Sequence, residues 1–287
     1  MNHEPNNLSS RDESIAQAAR VLRECDALLV TAGAGMGVDS GLPDFRGNQG
    51  FWKAYPPIAR LGLSFYEMAS PEWFVRDPRL AWAFYGHRIN LYRKTIPHKG
   101  FLQLLEIGKS KKGGYFVFTS NVDGQFQKAG YDENRIEECH GSVHFFQCIR
   151  PCGDDIRDAG MIEVQVDEDV FKALDPLPEC EKCGSLARPN VLMFGDWSWN
   201  ENRTDEQHRR LSEWLRIIQD KGLKIAIVEV GAGTAISTVR NTSENLAARY
   251  NGTLIRINPR DYMVRNERYL SIPLGGAEGI NRIFELI

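Results

Sequence analysis

Short apolar runs alternate with amphipathic stretches along much of the chain. The first run, at 27–31, leads into a glycine-rich turn, as a buried parallel strand entering a phosphate-type loop does. Before it, apolar residues recur at helical spacing up to Glu24, and Ser10 with Glu13 has the spacing of a capping box. We therefore expect a disordered tail at 1–9, then a helix, and then the first strand of a sheet.

Four later runs have the same character and predict further strands of that sheet. They lie at 115–119, 191–194, 224–230 and 253–258. Helical patterns at 204–220 and 237–249 fall between several of them. Because strands that alternate with helices form parallel sheets, the pattern predicts an α/β fold with a mostly parallel, doubly wound sheet.

Two stretches interrupt the alternation and predict a smaller lobe. Residues 47–97 are rich in aromatic residues and proline, which indicates helices and loops without a strand. Residues 144–190 contain two pairs of cysteines together with several acidic residues and prolines. We interpret both stretches as insertions into a sheet domain that comprises 10–46, 98–143 and 191–287.

The composition is that of an ordinary globular protein, and it narrows the range of partners. Of 287 residues, 42% are hydrophobic and 25% are charged, which excludes a disordered tail protein, a collagen-like fibre and a coiled coil. The net charge of −3 gives no global reason to bind nucleic acid or an anionic membrane, so we expect neither partner. Without a recognisable signal peptide or spanning segment, we expect a cytoplasmic protein.

A glycine-rich loop follows the first predicted strand, with the sequence Thr31-Ala-Gly-Ala-Gly-Met-Gly37. Its free N–H groups and the start of a following helix can face a pyrophosphate. The spacing is GxGxG rather than the GxGxxG of dinucleotide-binding loops, so the loop by itself fits a tight structural turn equally well. Asp44-Phe45-Arg46 then favours a nucleotide, because an acid, a ring and a cation can pair, stack and clamp.

Two further polar clusters follow predicted strands. In open parallel sheets, ligands bind beyond the carboxyl ends of the strands, so Asn121 and Asp123 are placed to hydrogen-bond a ribose or an amide. The alternative is that both residues cap the next helix. His140 follows a short strand-like stretch at 135–138, which makes it a candidate general base.

Four cysteines occur as two closely spaced pairs, Cys148-x3-Cys152 and Cys180-x2-Cys183. Four thiolates are the usual ligands of a closed structural zinc site, and we predict one Zn²⁺ there. The alternative is four free thiols. Because four protein ligands leave no position for a substrate, we assign the metal to folding rather than to chemistry.

Taken together, these motifs resemble the sirtuin family of NAD-dependent protein deacylases. The resemblance rests on GAGMGVDSGLPDFRG at 33–47, TSNVD at 119–123, the His-Gly pair at 140–141, the cysteine pairs and Ile257-Asn258. It implies a Rossmann-like NAD domain and a smaller lobe, made of a helical module at 47–97 and a zinc-binding module at 144–190. It also implies that an acyl-lysine protein or peptide binds in the cleft between the lobes.

By motif, the resemblance assigns roles to individual residues. Catalysis would fall to His140, as the base, and to Asn121. The NAD-binding set would consist of Ala32, Gly33, Ala34, Gly35, Asp44, Phe45, Arg46, Ser120, Asn121, Asp123, His140, Gly231, Ala232, Gly233 and Asn258. Val191, Phe194 and Gly195 would belong to the strand and loop that pair with the substrate backbone. The acyl group would be transferred to ADP-ribose, giving nicotinamide, O-acyl-ADP-ribose and free lysine.

One further motif bears on the acyl group itself. Tyr85 and Arg88 match the Tyr-x-x-Arg signature of the sirtuins that remove succinyl and malonyl groups. Positions i and i+3 share a helix face, so a phenol and a guanidinium can bind a carboxylate in one pocket. The alternative is an exposed arginine beside a core tyrosine. The motif thus predicts a deacetylase that also accepts acidic acyl groups.

Departures from the family pattern keep a second function class open. Ser120 stands where the family has Gln, and Trp197 with Trp199 makes the substrate loop bulky. The alternative is an NAD glycohydrolase or a protein ADP-ribosyltransferase of the same fold. His140 favours deacylation, because ADP-ribosyl transfer does not need that base for a second attack. A non-catalytic module that binds NAD or ADP-ribose is disfavoured by the three polar residues at the strand ends.

Overall fold

The computed structural model describes residues 5–44, 47–150, 152–160 and 162–287. Its helices are α1 (Pro5–Glu24), α2 (Gly47–Ala54), α3 (Pro56–Arg60), α4 (Phe65–Met68), α5 (Trp73–Arg76), α6 (Pro78–Lys94), α7 (Lys99–Lys109), α8 (Gln125–Lys128), α9 (Asn202–Asp220), α10 (Thr238–Arg249) and α11 (Gly276–Phe284). Short 3₁₀ helices lie at Ala34–Ser40 and Glu133–Arg135.

The strands divide between a large sheet and two small ones. They are β1 (Ala27–Ala32), β2 (Tyr115–Thr119), β3 (Ile136–Glu138), β4 (Gly141–Cys148), β5 (Ile156–Asp158), β6 (Val166–Asp167), β7 (Lys172–Ala173), β8 (Ala187–Val191), β9 (Ile225–Val230), β10 (Thr253–Ile257) and β11 (Leu270–Ile272). The small sheets have the orders β5-β4-β8 and β6-β7 and are antiparallel.

The large sheet has six parallel strands in the order β11-β10-β9-β1-β2-β3. Counted within this sheet, the order is 3-2-1-4-5-6, which is that of the Rossmann fold. One face packs on α1, α7 and α11, and the other on α9 and α10. Because both faces are covered, every residue of β1, β2 and β9 is buried. The predicted doubly wound sheet is confirmed.

One predicted strand of this sheet is wrong. The apolar run at 191–194 was expected to join the parallel sheet, but the strand here is β8, which ends at Val191 and pairs antiparallel with β4. Apolar periodicity misses β8 because two of its buried residues are polar. Arg188 bonds the Asp196 carboxylate, and Asn190 bonds the Gln147 side chain.

The amino-terminal helix is longer than the pattern indicated. α1 begins at Pro5, so residues 5–9 are helical rather than part of a tail. Proline is favoured in the first turn of a helix, where its missing N–H would have no partner in any case. Residues 1–4 lie outside the described part of the chain.

The smaller lobe has a core of its own. Phe84 and Trp82 of α6 pack in one cluster with Phe146 of β4 and Met193. Within the described residues of 47–97 the elements are helices, α2 to α6. β4 starts at Gly141, three residues before the predicted module boundary, and the exact division into modules stays a prediction. Among the described residues, no helix combines the length and the apolar character needed to cross a membrane.

Candidate active site

The loops after β1 and β9 touch at the point where the strand order reverses. Gly35 N donates to Gly231 O at 3.0 Å, and a Cβ on Gly35 would lie 2.6 Å from Gly231 Cα. Gly231 has a φ of +65°, and its own Cβ would lie 2.3 Å from the Gly35 carbonyl carbon. A Cβ on Gly33 would similarly lie 2.8 Å from Ala232 Cα. The two loops therefore meet backbone to backbone, and only glycine permits this approach.

The crevice beside these loops fits a nucleotide. Ala32 ends β1 inside the core, whereas Ala34 is exposed at the start of the 3₁₀ helix. Gly233 is partly exposed, and no atom lies within 4 Å of the place its Cβ would take. An open space therefore adjoins the amide-rich start of a helix at the switch point of a parallel sheet, which is where such folds bind nucleotides.

Two residues that were predicted to bind the nucleotide form hydrogen bonds or ion pairs within the protein instead. Asn258 is fully buried, with Nδ2 donating to Ala232 O at 2.9 Å and Oδ1 accepting from the backbone of Asp261 at 2.9 Å. Asp44 forms an ion pair with Arg260 at 3.1 Å. Asn258 can thus shape the site by holding the loop at Ala232. Phe45 and Arg46 lie outside the described residues.

The cluster after β2 lies against the same glycine loop. Ser120 N donates to Ala32 O at 3.2 Å, and Asn121 Nδ2 donates to Gly33 O at 3.0 Å. Asp123 Oδ1 accepts a bond from Gln125 N at 3.0 Å, beside the start of α8, whose N-cap residue is Gly124. Burial raises the pKa of Asp123 to about 6, because a low-dielectric surrounding disfavours the carboxylate.

His140 lies between β3 of the large sheet and β4 of the small sheet β5-β4-β8. It follows β3, and its carbonyl accepts a bond from Leu192 N at 3.0 Å. Burial lowers the pKa of the imidazole below its ordinary value, so the ring is neutral at pH 7 and able to accept a proton. Two residues before it, the buried carboxylate of Glu138 pairs with Arg203 at 2.5 Å, an ion pair that the sequence did not indicate. Because Arg203 lies 65 residues away along the chain, the local sequence gave no signal of this ion pair.

Tyr85 and Arg88 come together in the lobe core. Arg88 is only 6% exposed, so the alternative of an exposed arginine is wrong. Its guanidinium carbon lies 5.2, 5.6 and 5.5 Å from the ring centres of Phe84, Tyr85 and Tyr92, and Nε donates to Tyr92 Oη at 2.8 Å. Burial raises the pKa of Tyr85 to about 12, which keeps its phenol protonated. Tyr92 was missed, although its i+4 spacing from Arg88 could have indicated it.

The segment after β8 runs from the buried Val191 to an exposed loop. Phe194 N donates to Ala69 O at 2.9 Å, and the Phe194 ring lies 4.3 Å from that of Tyr66. Gly195 is exposed and adopts a φ of +69°, which suits a turn. The following Trp197 is 100% exposed. This segment thus presents an accessible edge beside His140.

The four paired cysteines meet as predicted. Cys148 Sγ lies 3.6 Å from Cys183 Sγ, Cys152 Sγ lies 3.6 Å from Cys180 Sγ, and all four sulfurs are within 4.8 Å of one another. Tetrahedral zinc with Zn–S bonds of about 2.3 Å separates its sulfurs by roughly 3.8 Å, whereas a disulfide needs about 2.05 Å. The donor set and its spacing therefore fit one structural zinc ion.

The two remaining cysteines have no such partners among the described residues. Cys25 is buried, and its Sγ donates to Leu22 O at 3.4 Å. Burial raises the pKa of Cys139 far above its ordinary value, so this residue remains an unreactive thiol.

Comparison with known proteins agrees with this architecture. The model of the Sir2 family matches residues 33–216. An "NAD-dependent protein deacylase" of Thermococcus kodakarensis is 34% identical over 187 residues, which cover 63% of this chain and 65% of that protein. "NAD-dependent protein deacylase 1" of Caldanaerobacter subterraneus subsp. tengcongensis is 30% identical over 258 residues, covering 90% and 92%. The present chain thus spans less than two thirds of the first relative and most of the second.

A solved structure shows the same fold. The crystal structure of a Sir2 homolog–NAD complex superposes with a TM-score of 0.69 at 23% identity, over 94% of this chain and 92% of that one. The family match and the sequence relatives place the chain in the Sir2 family, the sirtuins.

Proposed function

We propose that this chain is an NAD-dependent protein-lysine deacylase that accepts acidic as well as acetyl groups. The observation that carries the proposal is the position of His140. Its carbonyl accepts a bond from Leu192 of the exposed segment. The preceding strand, β3, lies beside β2, and Asn121, two residues after β2, bonds the glycine loop at Gly33. A base at this junction can act on a nucleotide and a peptide at once. The relatives named as deacylases support the same reaction.

The nucleotide side of the site would be formed mostly by backbone. Ala34 is exposed at the crevice and Gly233 adjoins open space, and the tight contact between Gly35 and Gly231 fixes the two loops before a ligand arrives. When bound, NAD supplies the ADP-ribosyl group that receives the acyl group and the nicotinamide that leaves. Asp123, ionised above its pKa of about 6, can accept a hydrogen bond from a carboxamide.

His140 would act as general base. Its lowered pKa leaves the imidazole neutral at pH 7, so an unprotonated ring nitrogen can take a proton from a hydroxyl in the crevice. Asn121 would orient the adjoining loop, because its amide already bonds Gly33 O. The proton transfer therefore depends on two residues at the ends of neighbouring parallel strands.

The acyl group would reach the aromatic core of the smaller lobe. Arg88 is a buried cation among the rings of Phe84, Tyr85 and Tyr92, and a carboxylate in such a site gains strongly from charge-assisted hydrogen bonds. Tyr85 adds a protonated phenol. Val191, Phe194 and Gly195 would present the peptide-binding edge, where an extended substrate adds a strand.

Product analysis tests the reaction class. The protein is incubated with NAD and an acetyl- or succinyl-lysine peptide, and the products are identified by mass spectrometry for the wild type and for His140→Ala. We expect O-acyl-ADP-ribose and free lysine from the wild type and neither from the variant. Rapid nicotinamide release without peptide would instead indicate a glycohydrolase, and ADP-ribose attached to protein would indicate a transferase. Either result would overturn the proposal.

We also propose a cytoplasmic location and the module division given above, with helical residues at 47–97 and metal-binding residues at 144–190. The reduced cysteine cluster suits a reducing compartment, where paired cysteines bind metal more often than they form disulfides. Fractionation of cells that express the protein tests the location. Recovery of the protein outside the cytoplasmic fraction would contradict it.

A further inference from the structure

Helix α6 (Pro78–Lys94) presents two different faces. Tyr85, Arg88 and Tyr92 form the face that lines the acyl pocket. Gly86, Asn90 and Arg93 follow the spacing i, i+4 and i+7, so they form a second stripe on another side of the helix. This second stripe contacts Gly160, Ile162 and Val164, which lie in the loop between the two cysteine pairs.

The first contact of the stripe is a close approach. A Cβ on Gly86 would lie 2.5 Å from Val164 Cγ1 and 2.7 Å from Val164 Cβ. Real Cβ atoms do not approach carbon this closely, so the side chain of Val164 sits directly on the backbone of α6. Any larger residue at position 86 would have to push the segment and the helix apart by about 1 Å.

The other two contacts are hydrogen bonds to the backbone of the segment. Asn90 Nδ2 donates to Val164 O at 3.0 Å. Arg93 donates from Nη1 to Ile162 O at 2.6 Å and from Nη2 to Gly160 O at 2.7 Å. Three carbonyl groups of one irregular segment are thereby bound by two side chains of one helix. Such bonds fix both the rotation of α6 about its own axis and its position along that axis relative to the segment.

The beginning of α6 is attached to the same loop. Asp77, which caps the helix by accepting from Leu80 N at 3.1 Å, also pairs with Lys172 of β7. Arg79 pairs with Asp175. Because all these partners lie between Cys152 and Cys180, the helix is fixed along its length to a loop that the predicted zinc ion closes.

We propose that Gly86, Asn90 and Arg93 are positioning residues that set the selectivity of the acyl pocket. They hold α6 on the loop between the cysteine pairs and so fix where Arg88 stands relative to the acyl group. This inference rests on the proposed deacylase function. It predicts a specific pattern, because an acidic acyl group must meet the guanidinium at hydrogen-bond distance, whereas an acetyl group has no carboxylate to offer it. A displacement of about 1 Å therefore costs the first reaction more than the second.

The pattern is tested by kinetics with the zinc-loaded protein. kcat/KM is measured for succinyl- and acetyl-lysine peptides with Gly86→Ala, Asn90→Ala, Arg93→Met and, as a matched control, Arg216→Met on the exposed side of α9. We expect the succinyl-to-acetyl ratio to fall about 10-fold in Gly86→Ala and about 3-fold in the next two variants, with no change in the control. An unchanged ratio in all three variants, or equal losses with both peptides, would overturn the proposal.

A second measurement does not depend on turnover. Hydrogen–deuterium exchange of the backbone at 84–94 is compared among the same zinc-loaded proteins, with zinc content measured for each. Faster exchange in Asn90→Ala and Arg93→Met than in Arg216→Met, at equal zinc content, is the expected result. Equal exchange would overturn the proposed attachment even if Gly86→Ala fails to fold. If the variants show this exchange pattern but the wild-type protein does not turn over any acyl-peptide, the deacylase proposal is refuted and the attachment of α6 stands.

Discussion

The nucleotide crevice and the acyl pocket are built in opposite ways. At the crevice, Gly35 and Gly231 bring two loops into backbone contact, and no side chain separates them. At the pocket, the aromatic rings around Arg88 do the shaping, and the helix that carries them is held by side chains on another face. The crevice therefore has little freedom to vary, whereas the pocket can change its preference through residues that never touch the ligand.

The largest effect should come from losing a zinc ligand, which separates the two regions. Cys180→Ser removes one of four sulfurs, and the loop that holds α6 then loses its closure. We expect zinc content to fall to background and acyl-peptide binding to be lost, while NAD affinity falls much less. Metal analysis and calorimetric titration measure this. Parallel loss of both affinities would show that the crevice depends on the metal as strongly as the pocket does.

The crevice itself is tested by Gly231→Ala. The new Cβ would lie 2.3 Å from the Gly35 carbonyl carbon, and the positive φ adds strain, so we expect about 2–4 kcal/mol of lost stability and at least a 10-fold loss of NAD affinity.

Gly222→Ala is the matched control for that variant. Its φ of +61° imposes similar strain, but nothing lies within 4 Å of the new Cβ. A cost of about 1 kcal/mol with unchanged NAD affinity is expected, measured by urea unfolding and titration. Equal effects of the two variants would mean that backbone strain, and not the contact between the loops, decides the loss.

Arg88→Met tests the pocket from inside. The substitution keeps an apolar chain among the rings of Phe84 and Tyr92 and removes the buried cation. We expect kcat/KM for succinyl-lysine to fall by about 30-fold relative to that for acetyl-lysine, corresponding to the loss of charge-assisted hydrogen bonds worth about 2 kcal/mol. Preserved desuccinylation would remove the assignment of acidic acyl groups to this pocket.

The smallest effect is expected for Asp123→Asn. This substitution should stabilise the fold but reduce NAD cleavage. The pKa of Asp123 is raised to about 6, because burial disfavours the carboxylate. The ionised side chain therefore lowers the free energy of unfolding, and this loss grows as the pH rises from the ordinary pKa of 3.8 through 6. Asp123→Asn should therefore stabilise the fold by about 1–2 kcal/mol at pH 7.5, and by less at pH 5. NAD cleavage should fall at the same time. Urea unfolding at both pH values would contradict this if the variant were less stable at pH 7.5.

The large sheet could be predicted from the sequence because its information is local. Continuous apolar runs mark β1, β2 and β9, and helical patterns between them give the parallel topology. β8 was not predicted, because its buried residues Arg188 and Asn190 are polar and bond to side chains elsewhere in the chain. Hydrophobic periodicity carries no record of such partners.

The candidate site was predictable to a similar degree. Cysteine spacing indicated the metal cluster, and strand-end motifs indicated residues that the structure brings to one edge. The attachment of α6 could not be foreseen, because Asn90 and Arg93 bind backbone carbonyls about 70 residues away. An irregular segment that accepts hydrogen bonds through its backbone leaves no signature in side-chain pattern.

The exposed loop after β8 carries a tryptophan whose fluorescence can report on binding. All six tryptophans lie in the described part of the chain, and Trp197 alone is fully exposed, whereas Trp82 and Trp214 are buried. Since indole emission shifts to shorter wavelength when water is excluded, a peptide covering this loop would report its arrival through native fluorescence. The association of unlabelled substrates could then be followed in real time.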